Sequence, residues 1–155
     1  LFDELQEFNK PIFGLCGGYQ MLCQSLHDPD ALEHDSATIE PGLSFIDDIV
    51  VYQSPKILQR GYYQLFSYTA IKGYEIHCGR MDKYPLFYQG GRFTGTHVHG
   101  VFDDDTFRSD YFKSINPHYQ GFHYAHYREA QIQGFTDMVA NNLDTAAILQ
   151  ALQAD

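Results

Sequence analysis

The run PIFGLCGGYQMLCQ, residues 11–24, sets Cys16 between Gly14 and Gly18. An apolar stretch precedes it and a helix-forming stretch follows. A residue at a sharp turn from strand to helix projects out of the fold, while neighbouring backbone N–H groups point into the same space. Flanking glycines relieve the crowding such a turn creates. A thiol at a helix start is favoured as thiolate, and the N–H of Gly17 is placed to donate to an oxyanion. These residues could carry nucleophilic catalysis. On the pattern alone a second reading stays open: a free cysteine is also a small buried hydrophobe in a tight turn.

A nucleophile needs a base. The chain offers His77 in GYEIHCG and His97 and His99 in GTHVHG. His97 and His99 share one face by strand alternation. His99 ends a β-like segment at Gly100, where the C-terminal edge of a parallel strand would face the elbow. A lone histidine in a strand also serves structure, and that reading stands beside the catalytic one for His77.

Composition narrows the classes. The chain has 155 residues, enough for one domain with a real core. Apolar residues make up 44% and charged residues 19%, a folded composition. A net charge of −10 leaves no basic footprint, so nucleic acid is not an expected partner. The three cysteines, Cys16, Cys23 and Cys78, fit neither a disulfide framework nor a zinc site. A reducing, cytoplasmic compartment and no metal are therefore expected. No run of about 18 apolar residues spans a membrane, and no signal-peptide pattern opens the chain.

The elements that must position Cys16 follow from periodicity. Residues 1–8, LFDELQEF, carry apolar side chains at helical spacing and predict a helix. Residues 11–15 predict a buried parallel strand, and residues 19–26 a helix after the Gly17–Gly18 turn. Residues 27–42 read as an acidic loop, 43–52 as a strand region and 53–61 as a connector. Residues 62–81 alternate and predict strands around Lys72-Gly73. Residues 90–104 offer turn glycines and then a strand. Helices are expected at 106–115, begun at Thr106, and at 128–142 and 145–153, the last capped by Asp144. The whole predicts an α/β fold, an open and mostly parallel sheet flanked by helices. Such a sheet needs more strands than fit ahead of residue 11, and the chain opens on Leu1 inside a helical pattern. An N-terminally incomplete domain is therefore expected.

The motifs carry a family resemblance. PIFGLCGGYQML resembles the nucleophile elbow of the class I, triad-type glutamine amidotransferases. Together with GYEIHCGR and GTHVHGVFD it resembles one branch, the cobyric acid synthase glutaminase domains. That branch has motifs close to GxCGGYQML, GYEIHxG and GTYxHGxF, in this order. HDPDALE at 27–33 and the segment from Arg128 through Asp137 to Asp144 also fit. The likeness covers nearly the whole chain and implies a flavodoxin-like fold.

The resemblance also implies roles. Cys16 would attack the carboxamide of glutamine, form a glutamyl thioester and release ammonia, with His99 as base and acid. Gly17 would donate an oxyanion-hole N–H. Gly18 and Gln20 would shape the pocket, and Glu75 and His77 would line the site or the contact with a synthetase domain. ATP and Mg²⁺ would serve that absent domain, which would amidate a corrinoid, adenosylcobyrinic acid a,c-diamide; no cofactor is implied for this chain. Two departures stand out. Many class I glutaminases carry Glu two residues after the catalytic histidine, where this chain has Val101, leaving Asp103 or no acid at all as the orienter. The family's second oxyanion donor comes from a loop that would precede this chain. The alternatives are a sister glutaminase, acting on cobyrinic acid or a peptidoglycan precursor, and a non-catalytic interaction module of the same fold.

Overall fold

The computed structural model describes residues 2–153, apart from the side chain of residue 69. They form two compact units, one ending at Tyr119 and the other starting at Gln120.

The first unit opens with α1 (Phe2–Glu7), β1 (Ile12–Leu15), α2 (Gly17–Met21), β2 (Ser25–Asp28) and β3 (Thr38–Pro41). It continues with β4 (Ile49–Leu65), β5 (Tyr68–Arg80), β6 (Phe87–Gly90) and β7 (Phe93–Thr96). A 3-10 turn at Val101–Asp103 and α3 (Asp105–Ile115) close it. One sheet has the order β1-β7-β6 and the other β3-β2-β4-β5. The α/β class expected from the sequence holds. Within it the sheets are mixed: β1 runs parallel to β7 and β2 to β4, while the other three pairings are antiparallel.

Three local expectations are corrected by pairing across the chain. The helix expected over 19–26 stops at Met21, because Ser25, Leu26 and His27 pair with Ile49, Val50 and Val51. The connector expected at 53–61 lies inside β4. Pro55 and Gly61 make it look like a turn, yet from Ile57 onward it pairs with β5. The ladder breaks between Tyr52 and Ile57, around the proline, which has no N–H to donate, and shifts again between Tyr63 and Leu65. The hairpin then turns near Phe66, at φ 56°, and not at Lys72-Gly73, which pair with Tyr62 and Gly61.

Two apolar clusters hold the unit together. Tyr19, Leu22, Cys23, Ile46, Val50 and Met81 pack beneath the turn that carries Cys16. Tyr63, Leu65, Ile71, Val98, Val101 and Phe107 pack around β5 and the segment after β7. Two buried carboxylates pin the loops. Asp28 accepts the backbone N–H groups of Leu32, Glu33 and His34 at 2.7–3.0 Å. Asp48 accepts those of Ile49, Lys83 and Tyr84 at 2.8–3.0 Å. Helix α3 begins at Asp105, capped by Asp104 through the Phe107 N–H, one residue ahead of the expected start.

The second unit contains α4 (Tyr124–Asn142) and α5 (Thr145–Leu152). Helix α4 begins four residues before the expected start. Asp144 caps α5 as expected, its carboxylate accepting the Ala147 N–H at 2.9 Å. Neither helix has a buried residue. No helix among the described residues is long and apolar enough to cross a membrane.

Candidate active site

Strand β1 ends at Leu15, opposite Thr96 of β7, so both chains emerge from the same sheet edge. The pairing extends one step further: the Cys16 N–H donates to the Thr96 carbonyl at 2.9 Å. Cys16 then takes φ 49° and ψ −110°, outside the regions a side chain adopts freely. Such a residue costs on the order of 1–3 kcal/mol and persists where its surroundings over-determine it. Here the Thr96 bond fixes its N–H, and the Gln20 N–H, 3.0 Å away, fixes its carbonyl. The steric demand on glycine falls at Gly14. A Cβ there would lie 2.7 Å from the Tyr19 Cα and 2.8 Å from the Gly18 carbonyl oxygen. At Gly17 and Gly18 an added Cβ would meet nothing within 4 Å, so those two leave the outer side of the turn open.

The thiol's protonation departs from the expectation. Burial raises the Cys16 pKa, and this outweighs the Gly17 N–H and the Lys56 charge, which lower it; Glu33 raises it further. Helix α2 has only five residues, so little dipole reaches the thiol. Lys56 and Glu33 form a loose ion pair, Nζ to Oε1 3.9 Å, with both side chains about half exposed. All three cysteines are free thiols. Burial, helped by Asp48, lifts Cys23 to about 12.

His99 lies three residues beyond β7. Its N–H donates to the Tyr74 carbonyl at 2.8 Å, and the Tyr74 N–H returns a bond to the His99 carbonyl at 3.1 Å. Its Nε2 is buried and has no hydrogen-bond partner. Burial, then the charge on His77, lowers its pKa. Cys16 and His99 therefore leave adjacent strands at one edge, but the hydrogen bond expected between them is not formed. The imidazole is instead stacked on the Tyr74 ring. The Asp103 N–H donates to the Gly100 carbonyl, and its carboxylate makes no bond to His99.

Gln20, Glu75, His77 and His97 form a buried polar spine beside the elbow. The Tyr52 hydroxyl donates to Gln20 Oε1 at 3.2 Å, and Gln20 Nε2 lies 3.2 Å from His97 Nε2. His97 Nδ1 lies 3.0 Å from the Pro85 carbonyl, which can only accept. His97 must then carry its proton on Nδ1 and accept from Gln20 on Nε2. Burial, then the charge on His77, pushes His97 down to about 4, so it is neutral. His77 stacks on His97 with ring centroids 4.0 Å apart. It bonds the Gly79 carbonyl through Nδ1 at 2.7 Å and Glu75 Oε2 through Nε2 at 3.1 Å. Alternation on β5 puts Glu75 and His77 on one face, where both are buried. Neither makes a hydrogen bond to Cys16.

The structure thus brings Cys16, Gly17 and Gly18 together at the elbow, with His99 at the neighbouring strand end. It places Gln20, Glu75 and His77 in the support behind them. Tyr52 and Lys56 went unnoticed in the sequence, where no local pattern marks them, and Tyr74 was passed over within GYEIHCG. Only strand pairing brings them near. Among the described residues no three His, Cys, Asp or Glu side chains gather as a metal site.

A strained cysteine turn closes a parallel strand in an α/β fold, the backbone geometry of a nucleophile elbow. Residues 2–107 match the CobB/CobQ-like glutamine amidotransferase domain, and the chain belongs to that family. It is 41% identical over 153 residues to a cobyric acid synthase of Acinetobacter baylyi, covering 99% of this chain and 33% of that protein. Cobyric acid synthases of Ruminiclostridium cellulolyticum and Rhodobacter capsulatus are 29% and 31% identical, over 94% and 89% of this chain. They are covered over 35% and 32% of their own lengths. The chain thus spans about a third of the relatives it matches. Among solved structures, a glutamine amidotransferase superposes with a TM-score of 0.41 at 14% identity, over 74% of this chain and 65% of its own.

Proposed function

We propose that this chain is the glutaminase part of a cobyric acid synthase, hydrolysing glutamine at Cys16 to supply ammonia. The observation that carries the reading is the strained Cys16 elbow beside His99 at one sheet edge, in a chain of this family. The Cys16 sulfur attacks the side-chain carbonyl carbon of glutamine, and the oxygen becomes an oxyanion facing the Gly17 N–H. The C–N bond breaks, and His99 returns the thiol's proton to the leaving nitrogen, which departs as ammonia. Water then attacks the thioester, giving up a proton to His99, and glutamate leaves as the thiol is restored.

By the names of its relatives, the ammonia would go to a synthetase domain. There ATP and Mg²⁺ would activate corrinoid carboxylates, adenosylcobyrinic acid a,c-diamide becoming adenosylcobyric acid. On this reading the reaction belongs to cobalamin biosynthesis in the cytoplasm, with glutamine and the synthetase domain as partners. The test is ammonia release from glutamine, measured on this chain and on a longer form joined to its synthetase portion. Release by the wild type, lost in Cys16→Ala and in His99→Asn, is expected. Release that survives Cys16→Ala contradicts the reading.

A further inference from the structure

His99 has no acid to orient it. Its Nε2 is buried without a partner, Val101 stands where many class I glutaminases carry Glu, and the Asp103 carboxylate makes no hydrogen bond to its ring. An acid in such a site performs two tasks: it fixes the imidazole's rotation, and it stabilises the imidazolium formed when the thiol gives up its proton. Something else must do the first, because a histidine free to rotate would seldom present its ring in one orientation.

The ring of Tyr74 lies nearly parallel to the imidazole of His99, with centroids 5.0 Å apart and planes 10° apart. The pair is held from behind by two backbone hydrogen bonds, Tyr74 and His99 each donating to the other's carbonyl. That close approach depends on Gly73. A Cβ there would lie 2.5 Å from the His99 carbonyl oxygen and 2.5 Å from a Val98 methyl. Gly100, at φ 81°, then turns the chain away immediately after His99. Backbone clamp, flat ring and left-handed exit together leave the imidazole one plane to occupy.

We infer that Tyr74 is the positioning residue for His99, its stacked ring doing the orienting that an acid does in the triad enzymes. The inference rests on the glutaminase reading for its catalytic consequence, but its geometry stands apart from it. An aromatic face also attracts the imidazolium over the neutral ring, so Tyr74 assists the second task in part. The hydroxyl has no role here; the π face does.

The test compares Tyr74→Phe with Tyr74→Leu. In glutamine hydrolysis Tyr74→Leu is expected to lower kcat about tenfold to a hundredfold while KM changes less than about twofold, since orientation of the base matters only in the chemical step. Tyr74→Phe is expected to restore kcat to within about threefold of wild type, a rescue that loss of the hydroxyl would not permit. A second readout does not need activity. The His99 ring protons should show the upfield shift of a stacked neighbour in wild type and Tyr74→Phe, and lose it in Tyr74→Leu. A Tyr74→Leu kcat equal to wild type, or His99 ring signals unmoved by that substitution, overturns the inference. Failure of wild type to hydrolyse glutamine would overturn the glutaminase reading instead, and the ring signals would still decide whether Tyr74 holds His99.

Discussion

The Cys16 thiol sits in a contest between burial, which opposes its ionisation, and two favourable groups, the Gly17 N–H and the Lys56 ammonium. Burial wins, so the Cys16 pKa lies above its ordinary value. Glu33 and Lys56 act on it with opposite sign. Lys56→Gln removes a charge that favours the thiolate, so alkylation of Cys16 by a small neutral reagent should slow at neutral pH. Glu33→Gln should speed it. Rates that move together, or not at all, would show that these charges do not reach the sulfur. In wild type the alkylation rate should still be rising at about pH 8.5, where an ordinary cysteine is half ionised. Cys16 and His99 were legible because a short motif carries each: glycines around the thiol, and glycine after the histidine. Lys56 and Tyr74 were not, since no spacing in the chain announces which strands will meet.

At the scale of elements, the long β4–β5 hairpin does most to assemble the site. It brings Tyr52, Glu75, His77 and Tyr74 against α2 and the segment after β7. Gly73 and Gly79 are its points of close contact. Gly79→Ala would put a methyl 2.5 Å from Gln20 Nε2 and 2.8 Å from a Val50 methyl, parting Gln20 from His97. We expect a stability loss of about 1–3 kcal/mol, from overpacking and a buried polar group left without its partner; an unchanged denaturation midpoint would argue that the spine can shift aside. The spine also makes stability depend on acid. His97 titrates near 4 when folded and near 6.5 when unfolded, so the unfolded chain binds the extra proton between those values. Stability should therefore fall as pH drops from about 6.5 toward 4, by up to about 3 kcal/mol from this group. His97→Gln should flatten that limb of the stability–pH curve; an identical slope would mean His97 is not held neutral. The hairpin's 53–61 stretch was hidden in the sequence because Pro55 and Gly61 imitate a turn, and only the partner strand reveals it. The α/β class, the β1 strand and the Asp144 cap were legible, because apolar runs and caps are local signals.

At the scale of the whole molecule, the family and the share of the relatives that this chain spans point to one step in a longer reaction. On the proposed reading, ammonia is the product handed on. In the form joined to its synthetase portion, Cys16→Ala should abolish glutamine-dependent amidation and leave ammonia-dependent amidation intact. Loss of both would mean that the cysteine supports the synthetase rather than feeding it. The net charge of −10 disfavours nucleic acid. The central claim is that Cys16 stands within a glutamine pocket, and the most direct measurement is mass spectrometry after exposure to an electrophilic glutamine analogue. The account predicts one adduct, on Cys16, blocked by excess glutamine and absent in Cys16→Ala, with Cys23 and Cys78 unmodified. An adduct on another cysteine, or one on Cys16 that glutamine does not protect, would contradict it.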